Sequence, residues 1–226
     1  MKAKGLIFDL NGTLINDFES HCYACQHLAK DYFNKEISIN EIKSNIIGKT
    51  NELIVKSFAD KPLNQDEINY YIDIKEKLYF EHVQQNNSLK LRDGVKLLFS
   101  YLQLKNIPYT IVATSNKDCV SKIINEFGLD QFINIDNVIC DNNEFSNKKD
   151  MYDIAIKKFE VDSTKDIIVF EDSIPGIEAA IEAGCQRIVA LYHKALHKYY
   201  KNYPQISIVT TSFIDLLYQF ESKDIF

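Results

Sequence analysis

Short apolar segments alternate with helical patterns along most of this 226-residue chain. Each segment is about the length of one strand, and repeated strand–helix units favour a parallel sheet with helices on both faces. The alternation therefore predicts an α/β fold with a Rossmann-like, three-layer parallel-sheet core. The predicted strands are residues 5–10, 109–113, 138–140, 167–170, 187–191 and 206–209.

A block of helical periodicity, from about Phe18 to Val83, follows the first strand and interrupts the alternation. We therefore expect residues 15–92 to form an inserted α-helical cap domain, and residues 1–14 and 93–226 to form the core domain. Open parallel sheets bind ligands at the carboxyl ends of their strands. A cap inserted there is placed to act as a lid over the site.

Composition excludes several classes of function. The 26 Lys plus Arg against 32 Asp plus Glu give a net charge of −6, without a basic cluster, which argues against nucleic acid as a partner. No apolar run is long enough to span a membrane, and the first residues do not form a signal-peptide pattern. We expect a small-molecule partner and a monomer or weak dimer.

The cysteines indicate a reducing compartment. There are five, an odd number without a paired pattern, which favours free thiols in a cytoplasmic protein. Cys22 and Cys25 form a Cys-x-x-Cys within a helical pattern, but no second pair completes a zinc site. We expect these two residues to pack in the interior.

Polar residues follow three of the predicted strands at their carboxyl ends. They are Asp9, Thr114 and the adjacent pair Glu171-Asp172. Three carboxylates at one edge of a sheet repel one another unless a cation lies among them, and oxygen ligands of this kind suit Mg²⁺. With the cation offsetting charge, attack of Asp9 on a phosphoryl group becomes feasible and yields an aspartyl phosphate.

Four segments resemble the signatures of the haloacid dehalogenase superfamily. Residues 8–14, Phe-Asp-Leu-Asn-Gly-Thr-Leu, are similar to the first signature, Asp-x-Asp-x-Thr, and residues 111–116, Ile-Val-Ala-Thr-Ser-Asn, are similar to the second. Lys148 precedes a predicted helix, as the third-signature lysine does. Residues 170–180 closely match the fourth signature. The position and size of the cap resemble the subfamily that contains β-phosphoglucomutase and phosphoglycolate phosphatase.

This resemblance implies a hydrolase with Asp9 as its nucleophile. It also implies that Mg²⁺ is bound by the Asp9 side chain, the Asn11 backbone carbonyl and Asp172, with Glu171 binding directly or through water. The substrate would be a small phosphorylated metabolite, such as a sugar phosphate.

The resemblance further implies that Thr114 and Lys148 hold the transferring phosphoryl group. Lys149 stays an alternative to Lys148, since the more usual Lys-Pro-x-Pro sequence is absent.

Five further residues are candidate substrate contacts on the same resemblance. Two lie in the cap: His21 occupies a position where related sequences often have a His near the substrate, and Lys49 lies in a segment like their specificity loop. His21 as a hinge or helix-surface residue and Lys49 as a solvated side chain are the alternatives. The others are the signature residues Thr13, Ser115 and Asn116.

Asn11 departs from the family pattern. Most phosphatases of the family have Asp there, which protonates the leaving oxygen and later deprotonates the attacking water, whereas an Asn side chain can do neither. Three functions stay open. The chain is a Mg²⁺-dependent phosphatase that Asn11 makes slow, a binding protein for a phosphometabolite, or a phosphomutase like β-phosphoglucomutase, which Asn11 disfavours most.

Overall fold

The structure is a computed structural model and describes residues 3–46, 48–86, 89–142, 144–192 and 196–223. Six strands form one parallel sheet in the order β5-β4-β1-β6-β7-β8, with helices on both faces, which confirms the α/β, Rossmann-like prediction. The strands of this sheet are β1 (Gly5–Asp9), β4 (Tyr109–Ala113), β5 (Ile139–Cys140), β6 (Ile167–Glu171), β7 (Ile188–Leu191) and β8 (Ile206–Thr210).

Strand β1 lies at the centre of the sheet because its side chains are apolar on both faces. Leu6 and Phe8 pack into the cluster on one face, and Ile7 packs into the cluster on the other. The Phe8 ring stacks on Phe170 of β6 with their centroids 4.3 Å apart. Since β4 and β6 flank β1 on opposite sides, the carboxyl end of β1 is the point where the order of the strands reverses. Ligands bind at such points in open sheets.

Ten α-helices complete the described part of the chain, and none of them is both long and apolar enough to cross a membrane. Two helices of the core begin directly after Asn116 and Asn147, whose side chains cap them. The helices are α1 (Phe18–Phe33), α2 (Ile39–Asn45), α3 (Asn51–Phe58), α4 (Gln65–Asn86), α5 (Val95–Leu104), α6 (Lys117–Glu126), α7 (Lys148–Lys157), α8 (Ile174–Glu182), α9 (His197–Tyr200) and α10 (Phe213–Lys223).

Helices α1 to α4 pack around an apolar cluster of their own, which includes Cys22 and Cys25. Both thiols are free and buried, so the prediction that they pack in the interior is confirmed. The chain enters and leaves these helices through a two-stranded antiparallel ribbon, β2 (Ile15–Asn16) and β3 (Lys90–Leu91). The ribbon lies near both ends of the predicted insertion, residues 15–92, whereas the domain boundaries themselves stay a prediction.

Candidate active site

Three strand ends and the inserted helices enclose one pocket. Asp9 ends β1, Thr114 follows β4, and Asp172 follows β6, so the carboxyl ends of three neighbouring strands supply its floor. Residues of α1, α4 and the segment before α3 form its roof, as expected for a lid. The lining includes Asp9, Asn11, Asp17, His21, Lys49, Asn51, Lys75, Thr114, Ser115, Lys148 and Asp172.

The floor carries three crowded carboxylates. Oxygens of Asp9, Glu171 and Asp172 lie within 4.8 Å of one another, and buried Asp9 Oδ2 has no hydrogen-bond partner among the described residues. Burial raises the pKa of Asp9 to about 7; Lys148 opposes this rise and Glu171 adds to it. Burial, Asp9 and Glu171 likewise raise the pKa of Asp172 well above its usual range. A divalent cation would relieve this repulsion, and carboxylate oxygens suit Mg²⁺.

Glu171 differs from Asp9 and Asp172 in that both of its carboxylate oxygens accept several hydrogen bonds. One oxygen accepts hydrogen bonds from Lys148 Nζ and Tyr152 Oη, and the other accepts from the backbone N–H of Asp172 and from the N–H and hydroxyl of Ser173. With both oxygens engaged, Glu171 orients its neighbours. As a metal ligand it fits the water-mediated form of the prediction better than the direct form.

The structure decides between the two candidate lysines. Lys148 is buried in the first turn of α7, and its Nζ donates to Asp9 Oδ1 over 2.5 Å and to Glu171. Lys149 points away and pairs with Asp153 over 2.5 Å, with 37% of its side chain exposed. Because successive residues on a helix point in different directions, only one lysine can enter the pocket.

The loop after Asp9 is built for close approach to Asp172. Gly12 has a φ of +84°, and a Cβ there would overlap the Asp172 carboxylate, so only glycine fits. Thr13 is fully buried and donates to Asp172 Oδ1 over 3.3 Å, while Arg92 donates to the backbone carbonyls of Gly12 and Thr13. Thr13 lies outside the pocket lining and its hydroxyl positions Asp172, whereas contact between Thr13 and substrate stays a prediction.

Asn11 lies against a carboxylate that the sequence did not point to. Its Nδ2 donates to Asp17 Oδ2 over 2.5 Å, and Tyr79 Oη donates to the same oxygen over 2.8 Å. His21 Nε2 is 3.2 Å from it, at ion-pair distance. Burial alone would raise the pKa of Asp17, but these neighbours lower it below its usual value. The position that lacks a carboxylate therefore has an ionised one directly beside it.

The residues after β4 divide between two roles. Thr114 and Ser115 line the pocket, as predicted. Asn116 does not: its Oδ1 accepts from the Cys119 N–H over 2.8 Å as the cap of α6, and its Nδ2 donates to Glu76 of α4. The Asn116 side chain thus joins the inserted helices to the core, and binding of substrate by Asn116 stays a prediction.

The predicted cap residues His21 and Lys49 both line the pocket. Next to Lys49, Gly48 has a φ of +85°, and a Cβ there would overlap the Ser173 hydroxyl, so this loop lies directly on the core. Two further lining residues, Asp17 and Lys75, were not found from the sequence. Lys75 could have been found from the sequence, because it lies at helical spacing from apolar residues of α4 and so shares their inward face.

The acidic cluster predicts opposite effects of Asp172→Ala with and without metal. Without Mg²⁺ the variant should be as heat-stable as the wild type or more so, because one repelling carboxylate is gone. Saturating Mg²⁺ should stabilise the wild type by about 2.7 kcal/mol at one hundred times its Kd and leave the variant unchanged. Thermal unfolding with Asp162→Ala, an exposed acid, as control measures this. An undiminished Mg²⁺ response in Asp172→Ala would contradict the metal site.

The raised pKa values predict that the Mg²⁺ response depends on pH. Asp9 and Asp172 bind protons more tightly in the folded state than in the unfolded state. The contribution of Asp9 to the stability of the metal-free protein therefore falls as the pH rises from about 4 to about 7, and the contribution of Asp172 changes in the same direction. Protons compete with Mg²⁺ in this window, so the Mg²⁺-induced rise in Tm should be larger at pH 7.5 than at pH 5. An equal rise at both pH values would contradict the assignment.

Comparisons with known proteins show the family of this chain. A family model described as haloacid dehalogenase-like hydrolase matches residues 6–190. The structure of a HAD hydrolase of family IA, variant 3, from Entamoeba histolytica is 30% identical, with a TM-score of 0.80 over 95% of each chain. CbbY from Rhodobacter sphaeroides, solved in complex with phosphate, is 17% identical, with a TM-score of 0.75 over 95% of this chain and 96% of that one.

A predicted phosphoglycolate phosphatase from Haemophilus somnus is 22% identical, with a TM-score of 0.71 over 96% of this chain and 97% of the other. At these last two identities the likeness shows the fold alone. The family match covers most of the chain and includes the loop after Asp9, the buried Lys148 and the acidic pair Glu171-Asp172. This chain belongs to the haloacid dehalogenase-like hydrolase family.

Proposed function

We propose that this hydrolase is a Mg²⁺-dependent phosphatase that removes the phosphoryl group from a small phosphorylated metabolite. The observation that carries the proposal is the unpartnered Asp9 Oδ2 in the pocket, beside two further acids and a buried lysine. A carboxylate arranged in this way is a nucleophile with an oxygen free to attack phosphorus. The complex of the CbbY relative with phosphate supports this class of ligand.

The reaction takes place in two steps at Asp9. In the first, Asp9 Oδ2 bonds to phosphorus as the ester P–O bond breaks, and the leaving alkoxide takes its proton from solvent water. In the second, water attacks phosphorus and loses a proton to solvent, the bond between phosphorus and Asp9 Oδ2 breaks, and inorganic phosphate leaves. Lys148 holds Asp9 Oδ1 and is placed to contact a phosphoryl oxygen. Asp9, the Asn11 carbonyl and Asp172 would hold Mg²⁺, which would supply positive charge to stabilise the phosphoryl group.

Asn11 is where this site differs from an ordinary phosphatase of the family. Its amide cannot carry the proton in either step, so substrates whose leaving groups depart without a proton should react fastest. The same feature favours the second candidate, a protein that binds a phosphometabolite without turnover. Asn11 also counts against a phosphomutase, which needs proton transfer on the sugar hydroxyls.

A panel of phosphorylated metabolites and aryl phosphates tests the proposal, with phosphate release measured with and without Mg²⁺. Release that requires Mg²⁺ and is lost in Asp9→Asn supports a phosphatase. Binding by calorimetry without release supports the binding protein. The protein must be freshly prepared and its mass checked at Asn11-Gly12, because deamidation there would create Asp.

A further inference from the structure

Lys75 is a buried cation on the cap side of the pocket. It is 3% exposed and lies on α4 in line with Ile68, Ile72 and Tyr79, which are also buried. These positions are three or four residues apart, so they share the helix face that points inward. A lysine on such a face is removed from water and costs free energy unless its charge is met by a partner.

The protein partner of Lys75 is a neutral amide. Lys75 Nζ donates to Asn51 Oδ1 over 2.8 Å, and among the described residues no carboxylate oxygen lies within 4.0 Å of it. An ammonium has three N–H donors, so two of them have no protein acceptor in the part of the chain described. Asn51 is itself buried and begins α3, where the Thr50 side chain caps the helix. The acceptor is therefore held in place.

Glu76, the nearest acid in sequence, is engaged elsewhere. Its Oε1 accepts from Asn51 Nδ2 over 3.3 Å and from the Asn116 N–H over 3.3 Å, and its Oε2 accepts from Asn116 Nδ2. Glu76 thus bonds the cap to the core and turns the Asn51 amide so that Oδ1 faces Lys75. This arrangement orients the Lys75 ammonium but leaves its charge without a neutralising partner among these residues.

Lys75 lines the proposed substrate pocket. Lys75 and Asn51 share it with Asp9 and Lys148. The transferring phosphoryl group belongs at Asp9 on the core side, whereas Lys75 belongs to the roof, which also carries Lys49. An anion that met Lys75 there would gain charge-assisted hydrogen bonds in a site shielded from water.

We propose that Lys75, held by Asn51, binds a second anionic group of the substrate. This inference rests on the proposed function and narrows its substrate class to phosphate monoesters that carry a further oxyanion, a carboxylate or a second phosphate. Neutral sugar monophosphates have no second anionic group to bind Lys75 and are therefore poorer substrates. Lys75 is thus a residue that determines specificity and takes no part in the transfer step.

Matched substrates test the proposal. The set contains the phosphate monoesters of glycolate and 3-hydroxypropanoate, their carboxamides, and the bisphosphates of ethane-1,2-diol and propane-1,3-diol. Wild-type kcat/KM should be about 10- to 100-fold higher for one of the oxyanion types than for the carboxamide, the effect of one charge-assisted hydrogen bond. Whether carboxylate or bisphosphate shows this gain identifies the second group.

Lys75→Met should remove this preference by lowering kcat/KM for the oxyanion substrates alone, with a Tm equal to or above that of the wild type. Lys77→Met is the matched control, because Lys77 is on the same helix but 76% exposed, with its Nζ 3.9 Å from Glu81. Lys75→Gln serves if the methionine variant does not fold. An equal loss for charged and neutral substrates, or no wild-type preference, overturns the proposal.

If the wild type turns over none of these compounds, the phosphatase proposal fails first. Calorimetric binding of the glycolate ester and its carboxamide to wild type and Lys75→Met then decides the role of Lys75 separately. Tighter binding of the charged compound to the wild type alone would uphold it, and equal binding of both would overturn it.

Discussion

The double variant Asn11→Asp/Asp17→Asn should hydrolyse alkyl phosphates faster than the wild type by about 10²- to 10⁴-fold, the usual contribution of general acid–base catalysis. Asn11 Nδ2 donates to Asp17 Oδ2 over 2.5 Å, so exchanging the two residues keeps an amide–carboxylate hydrogen bond with its direction reversed. The carboxylate then stands at position 11, two residues after Asp9. Phosphate release from an alkyl ester measures the gain.

The two single variants test separately the effect of adding a carboxyl group at position 11 and of removing the one at position 17. Asn11→Asp alone places two carboxyl groups in contact, and such a pair shares one proton because both cannot be ionised together. Its gain should be smaller than that of the double variant and its Tm lower. Asp17→Asn alone has no carboxyl group at either position and should gain nothing. For aryl phosphates the gain should shrink if formation of the aspartyl phosphate limits the rate. A double variant no faster than the wild type, with Mg²⁺ still bound, would favour the binding-protein function.

Lys148→Met should lower phosphatase activity by about 10²- to 10³-fold, as the loss of one group that stabilises the transition state typically does. It should also destabilise the fold by about 3–5 kcal/mol, because Asp9 and Glu171 lose the buried cation between them. Steady-state kinetics and thermal unfolding measure the two effects.

Two matched variants keep the effects on catalysis and on folding apart. Lys148→Met/Glu171→Gln removes a carboxylate together with the lysine, so the Tm should recover while the activity should not. Lys149→Met changes the neighbouring, half-exposed lysine and should stay within about twofold of the wild type, as for surface ion pairs generally. Equal activity losses in the two lysine variants would contradict the assignment of Lys148.

Local pattern was sufficient for the framework of the protein. Apolar segments and helical spacing predicted all six strands of the sheet, with ends that differ by one residue at most. Asp9 and the pair Glu171-Asp172 could be placed in one site from sequence, because residues that end parallel strands must meet at the same edge of the sheet. Thr114 followed for the same reason.

Roles that depend on the direction of a side chain, or on contact between distant segments, needed the tertiary structure. The choice of Lys148 over Lys149 came from the Asn147 cap, which starts α7 early enough to turn Lys148 inward. Thr13 was predicted to contact substrate, and only the tertiary structure shows that its hydroxyl meets Asp172, 159 residues away.

Asn11 and Lys75 show most clearly what the sequence alone determined and what it did not. From the sequence, Asn11 was a lost proton carrier, and only the folded ribbon and α1 bring Asp17 against it. Lys75 was one lysine among many, and only its burial beside Asn51 makes it a charge in the pocket. The sequence determined the elements and the acids at their ends, because these depend on neighbours along the chain. The fold decided each group's electrostatic surroundings, which depend on residues brought together from distant parts of the chain.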